Sequence, residues 1–85
     1  MKNELTLTEK INEVLYKLDP MGTCCFENEV HDEYLSCASR VRTYLDAGLT
    51  VSAAVDSVFN DDFWIGAVQG ETKENLVHAI DTIIA

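Results

Sequence analysis

The segment Thr6-Leu7-Thr8-Glu9 and the apolar residues behind it, Ile11, Val14, Leu15 and Leu18, constrain this chain most. The first four residues fit the S/T-x-x-E capping box, in which a hydroxyl and a carboxylate reciprocally satisfy helix N-terminal amides. The apolar set falls at i, i+3, i+4 and i+7, one face of an α-helix. Pro20 disfavours α geometry at Asp19 and ends the run, so a helix is predicted over 7–18. Strict alternation of apolar and polar residues, the mark of a half-buried strand, is missing throughout.

Pro20-Met21-Gly22-Thr23 reads as a turn, and the segment to about Val30 has no clean period, which makes it a loop. From His31 the helical pattern resumes. Tyr34, Leu35, Ala38, Val41 and Leu45 share one face, with Asp32, Ser36, Ser39, Thr43 and Asp46 opposite. Asp32 and Glu33 would then lie in the first turn, where the helix dipole favours negative charge, and Gly48 would close the helix. Thr50 is the next N-cap candidate, opening a short helix over about 51–59 carried by Val51, Ala54, Val55, Val58 and Phe59. The irregular stretch NDDFWIGAVQGET follows, within which Phe63-Trp64-Ile65 could add a helical turn. Glu71 or Thr72 then opens a last helix, with Leu76, Val77, Ile80, Ile83 and Ile84 apolar. The fold class read from this pattern is all-α: one domain over 1–85, a compact bundle of about four short helices joined by irregular loops.

Charge narrows the function classes. Six Lys and Arg stand against fifteen Asp and Glu, a formal net charge of -9, so the long-range field repels phosphate backbones and anionic lipid. Neither a nucleic acid nor a membrane is the expected partner; a basic protein is. Between Arg42 and Lys73 the sequence has no basic residue, while Asp46, Asp56, Asp61, Asp62 and Glu71 lie there. The plainer reading of the same acids is a solvated surface that keeps a small protein soluble. The start, MKNELTLTEK, has no apolar signal-peptide core and no run approaches a membrane span, so a cytosolic location is expected.

Asp19 to Cys37, DPMGTCCFENEVHDEYLSC, concentrates the residues that could carry chemistry. A zinc site there would draw on Cys24 or Cys25, His31 and Cys37, with an acid such as Glu33 as fourth ligand. The spacing argues against it, because adjacent cysteines rarely aim both sulfurs at one ion and no C-x2-C pair exists. A catalytic thiol is disfavoured as well: the neighbouring acids raise a thiol pKa, although His31 could serve Cys25 as a base. Buried free cysteines behaving as small hydrophobes are the simpler account. No cofactor or metal is predicted, and the acids Glu27, Glu29, Asp32 and Glu33 read as a solvated face. No phosphate-binding glycine loop and no nucleophile elbow is present, which leaves nucleotide and acyl-transfer chemistry without a platform.

The stretch NDDFWIG joins aromatic residues to acids. Trp and Phe supply apolar contact area while acids steer a basic partner, so Asp61, Asp62, Phe63 and Trp64 are the first candidates for a partner-binding site, with Glu27 and Glu29 on the first loop second. The competing expectation is that the only Trp of a small domain fills its core.

The run LDPMGT followed by DEYLSCASRVRTYLDAG resembles a group of small, acidic bacterial helical proteins in which a helix leads into Asp-Pro-Met/Leu-Gly and Asp-Glu-Tyr opens the next. The matching residues are Asp19, Pro20, Met21, Gly22, Asp32, Glu33 and Tyr34, within roughly 11–60. The resemblance implies an all-helical accessory protein, and some proteins of this size and charge are immunity proteins that neutralise basic toxins. The Cys24-Cys25 pair departs from that pattern, so no site is carried over onto it. On this view the stretch is a corner: Pro20 stops one helix, Gly22 permits the reversal, and Tyr34 reaches back with its hydroxyl toward Asp19 or a backbone group. The expected function is a non-enzymatic acidic protein-binding module, in its most concrete form an inhibitor or immunity-like protein that neutralises a basic partner. A small regulatory or structural homodimer, and a thiol or metal protein using Cys24, Cys25, His31 and Cys37, are the alternatives.

Overall fold

Helix α1 spans Leu7–Leu18 and begins as its sequence demands. The Thr6 hydroxyl accepts from the Glu9 amide at 3.1 Å, and the Glu9 carboxylate accepts from the Thr6 amide at 2.8 Å. Its inner face buries Ile11, Leu15 and Tyr16, whereas Leu18, expected on that face, is half exposed at the helix end. The computed structural model describes residues 5–23 and 29–84.

Three further helices follow: α2, Leu35–Asp46; α3, Val51–Asp62; and α4, Gly70–Ile84. Each of α1 and α3 packs on both α2 and α4, and the diagonal pairs do not meet, so the helices form a ring around one core. No strand occurs among the described residues. The expected all-α bundle is therefore the observed architecture.

Local chemistry accounts for most of the boundaries. Thr50 caps α3 by accepting from the Ala53 amide at 3.1 Å. Gly48, at φ 99°, ends α2 in a Schellman arrangement: its amide donates to the Leu45 carbonyl and the Leu49 amide to the Tyr44 carbonyl, at 3.0 and 3.1 Å. Three boundaries differ from expectation. Residues 31–34 form a turn, so α2 starts at Leu35 and Asp32 and Glu33 lie before it, outside the dipole's first turn. The cause is Tyr34, whose backbone (φ -109°, ψ 11°) is set by where its ring and hydroxyl are held. Helix α3 runs past Phe59 to Asp62, because both acids at its end are tied to Arg40 of α2. Helix α4 begins at Gly70, one or two residues ahead of Glu71 and Thr72.

The core holds Ile11, Leu15, Tyr34, Ala38, Val41, Ala54, Val55, Val58, Phe59, Leu76 and Ile80, with no exposed area beyond 1%. Tyr34 closes it at one corner. Its hydroxyl donates to Asp19 Oδ1 at 2.8 Å and accepts from the Met21 amide at 2.9 Å. Asp19 caps α1 in the left-handed region (φ 46°), and its Oδ1 also accepts from the Thr23 amide and hydroxyl, both at 2.9 Å. The Asp-Pro-Met-Gly stretch is thus a hydrogen-bonded corner, built around the bond that the sequence reading sought from Tyr34.

Candidate functional site

Helix α3 places Val51, Ala54, Val55, Val58 and Phe59 inward at helical spacing. One turn beyond Phe59 come Asp62 and Phe63, and there the helix stops: Phe63 takes φ -122°, ψ -88° while its amide still donates to the Phe59 carbonyl at 3.0 Å. The Phe63 ring lies against Phe59, 5.5 Å between centroids, and stays about 38% exposed. Trp64 meets the edge of Phe63 at 6.2 Å, with the rings nearly perpendicular.

From Trp64 the chain reverses. The Ala67 amide donates to the Trp64 carbonyl at 3.0 Å, Ile65 and Gly66 occupy the two central positions, and Gly66 has the positive φ, 79°, that a type II turn requires there. The Asn60 side chain accepts from the Gly66 amide at 2.9 Å and fastens the turn to α3. Val68 then returns to the core at 4% exposure. Buried Phe59 on one side and Val68 on the other leave Trp64 and Ile65 at the tip, 59% and 89% exposed. The expectation that the lone Trp fills the core is therefore corrected: Phe59 and Val68 occupy the interior on either side, and a two-residue turn carries the indole out. Phe63-Trp64-Ile65 adds no helical turn either.

The acids of this site do not stand alone. Arg40 of α2 pairs with Asp61 at 3.0 Å and with Asp62, and the Cys37 thiol donates to Asp62 Oδ2 at 3.3 Å. Lys73 holds Asp56 at 2.7 Å, and Arg42 holds Asp46 one helical turn away at 3.1 Å. The sequence run without basic residues is thus neutralised in part by the three cations of its neighbours, which were invisible as partners because they lie 4 to 22 residues away. One Arg40 charge against two carboxylates still leaves the turn's α3 flank acidic. On α4, Glu71, Glu74 and Asp81 form no ion pair among the described residues.

The remaining candidates are dispersed. Glu29 is exposed with φ 57°, and Glu27, Cys24 and Cys25 lie outside the described residues. The His31 ring stacks on Tyr16 of α1 at 4.2 Å, while Cys37 faces Asp62 of α3, so these two members of the hypothetical zinc set address different helices. Among the described residues no three His, Cys, Asp or Glu are grouped to hold a metal ion. Ile65, 89% exposed, is the residue of this tip that sequence reasoning did not single out; its signal was its place between Trp64 and a turn glycine.

Burial and the adjoining Asp62 carboxylate push the Cys37 thiol up to about 12. A thiol so held is a poor nucleophile at neutral pH, since the thiolate is the reactive form. In a Cys24→Ser/Cys25→Ser background, Cys37 should react with a disulfide reagent at pH 8 at least about a hundredfold more slowly than in urea. Equal rates would show that Cys37 is neither buried nor held protonated by Asp62.

A shallow groove between α3 and α4 is lined by Ser52, Lys73, Glu74, Val77, His78 and Asp81. No hydrogen bond joins Ser52, His78 and Asp81 to one another. Among the described residues no helix is long and apolar enough to cross a membrane. No protein family, curated protein or solved structure matches the chain in comparison.

Proposed function

We propose that the protein is a non-enzymatic protein-binding module that docks through the Trp64–Ile65 turn onto a surface apolar at its centre and basic at its rim. An acidic inhibitor of the immunity-protein kind is the concrete form of this reading. One observation carries it: two large apolar side chains at the tip of a turn already fixed by Asn60, Phe59 and Val68. Interface anchors are typically Trp and neighbouring apolar residues, and a turn held in its bound shape loses little entropy on docking. The net charge of -9 and the acids of α4 complement a basic rim.

Asp61 and Asp62 are the wrong residues to test first, because reversing them also breaks their pairing with Arg40. The decisive variant is Trp64→Ser/Ile65→Ser, whose side chains are exposed and whose melting temperature should match wild type. Affinity capture from cells of the source organism should yield a basic protein whose association weakens at least tenfold in the variant. Raising salt toward about 1 M, where screening reaches about 3 Å, should weaken wild-type binding too. A captured acidic protein other than this chain itself, or a basic one that the folded variant retains at equal affinity, overturns the proposal.

A further inference from the structure

The opposite end of α4 carries the complement of the turn. A groove between α1 and α4 is lined by Leu5, Val14 and Ile83, with Lys10, Glu13 and Lys17 along its walls. Leu5 is 49% exposed, so an apolar surface is open there. Of the five described cations, Lys17, Arg40, Arg42 and Lys73 each pair with a carboxylate, and Lys17 does so only at 3.9 Å. Lys10 makes no ion pair among the described residues. In a chain with fifteen acids, an uncommitted ammonium beside an apolar groove marks a surface suited to an acidic, apolar occupant.

The chain itself supplies such an occupant in Trp64 and Ile65, flanked by Asp61 on one side and Glu71 on the other. The turn cannot reach the groove of its own molecule. It is fastened to α3 and precedes Gly70, whereas Ile83 lies about 20 Å further along α4 at 1.5 Å per residue. We infer that the Trp64–Ile65 turn of one copy docks into the Leu5–Val14–Ile83 groove of a second copy, with Lys10 facing the acids beside the turn. This rests on reading the turn as a docking element and gives it a second occupant, distinct from the basic partner. The contact is heterologous, one patch against a different one, so each copy keeps a free turn at one end and a free groove at the other.

The interface is small and two chains of charge -9 repel, which places the association in the weak range, with a Kd on the order of 1 mM. Screening of that repulsion should tighten the contact between about 0.01 and 0.15 M salt, as the Debye length falls from about 30 to 8 Å. A basic partner would show the opposite trend.

The test is sedimentation equilibrium of the full chain up to about 1 mM. Wild type should show an apparent mass rising above 9.5 kDa with concentration. Trp64→Ser/Ile65→Ser lacks the turn and Leu5→Ser/Lys10→Glu lacks the groove, and each alone should remain a monomer. Mixed at equal concentration they should form a complex of two chains and nothing larger, because one retains a groove and the other a turn. Wild type that stays monomeric, a variant that associates as wild type does, or a mixture that stays monomeric overturns the inference. Loss of the captured partner by the Trp64/Ile65 variant, alongside a monomeric wild type, would remove the self-docking and leave the docking turn intact. Retention of that partner would remove the turn's role itself.

Discussion

Phe59→Ala should destabilise the protein by about 3–5 kcal/mol, the range for truncating a buried aromatic residue. Phe59 is fully buried, and its ring has Tyr34 at 6.4 Å on one side and Phe63 at 5.5 Å on the other. Deleting it opens a cavity between α3 and the Asp19–Tyr34 corner and removes the support under Phe63. A domain of 85 residues commands roughly 4–13 kcal/mol in total at 0.05–0.15 kcal/mol per residue, so the variant gives up a large share of its stability and should unfold at a much lower urea concentration. Urea unfolding followed by circular dichroism measures it. Trp64→Ala is the control and should change stability by less than about 0.5 kcal/mol, because the indole stands in solvent. A Trp64 effect as large as that of Phe59 would return the indole to the core and remove the docking turn.

The two aromatics show where sequence alone stops being informative. Phe59 sits at i+8 from Val51 on a face whose period is unmistakable, and its burial follows from that spacing. Trp64 lies beyond the last periodic residue, and whether a turn faces inward depends on which neighbour fills the interior. Val68 does so, a residue with no pattern to announce it. The caps were legible for the opposite reason. Thr6 with Glu9, Thr50 with Ala53, and Gly48 after Asp46 all act within three to five residues, so their chemistry is complete in the local sequence.

The start of α2 and the cations that hold Asp61 and Asp62 were hidden from the sequence on the same account. Asp32-Glu33-Tyr34 has the composition of a helical first turn, but the hydroxyl of Tyr34 is committed to Asp19, fifteen residues upstream, and the backbone follows the ring. Asp61 and Asp62 look like uncommitted acids because the guanidinium that pairs with them belongs to Arg40, on the neighbouring helix. Both are tertiary bonds. Each alters a local reading without altering the helix count, which the apolar periods determine.

The corner itself should yield the second large effect. Asp19→Ala removes an acceptor that takes three hydrogen bonds among the described residues, from the Tyr34 hydroxyl and from the Thr23 amide and hydroxyl, and leaves a β-carbon at φ 46° without the side chain that makes the conformation worthwhile. A loss of about 2–4 kcal/mol is expected: one hydrogen bond to a charged acceptor contributes about 1.5–3 kcal/mol, and at this part-buried corner water replaces much of the others. Asp19→Gly should recover the strain and not the hydrogen bonds. Tyr34→Phe separates the ring's packing from its hydroxyl, and the Asp19/Tyr34 double-mutant cycle should give a coupling of about 0.5–3 kcal/mol. pH supplies an independent reading. Burial first, and Asp19 second, raise the Tyr34 phenol above its ordinary 10.0, so the folded chain keeps a proton that the unfolded chain releases. That contribution is complete below pH 10 and is lost as pH rises beyond it. The Cys37 thiol, raised from 9.0 to about 12, adds an earlier decline of the same sign. Tyr34→Phe should therefore abolish the later part of the alkaline fall in stability and leave the part that begins near pH 9. An unchanged alkaline profile, or a coupling near zero, would mean that the hydroxyl and the carboxylate do not meet in the folded protein.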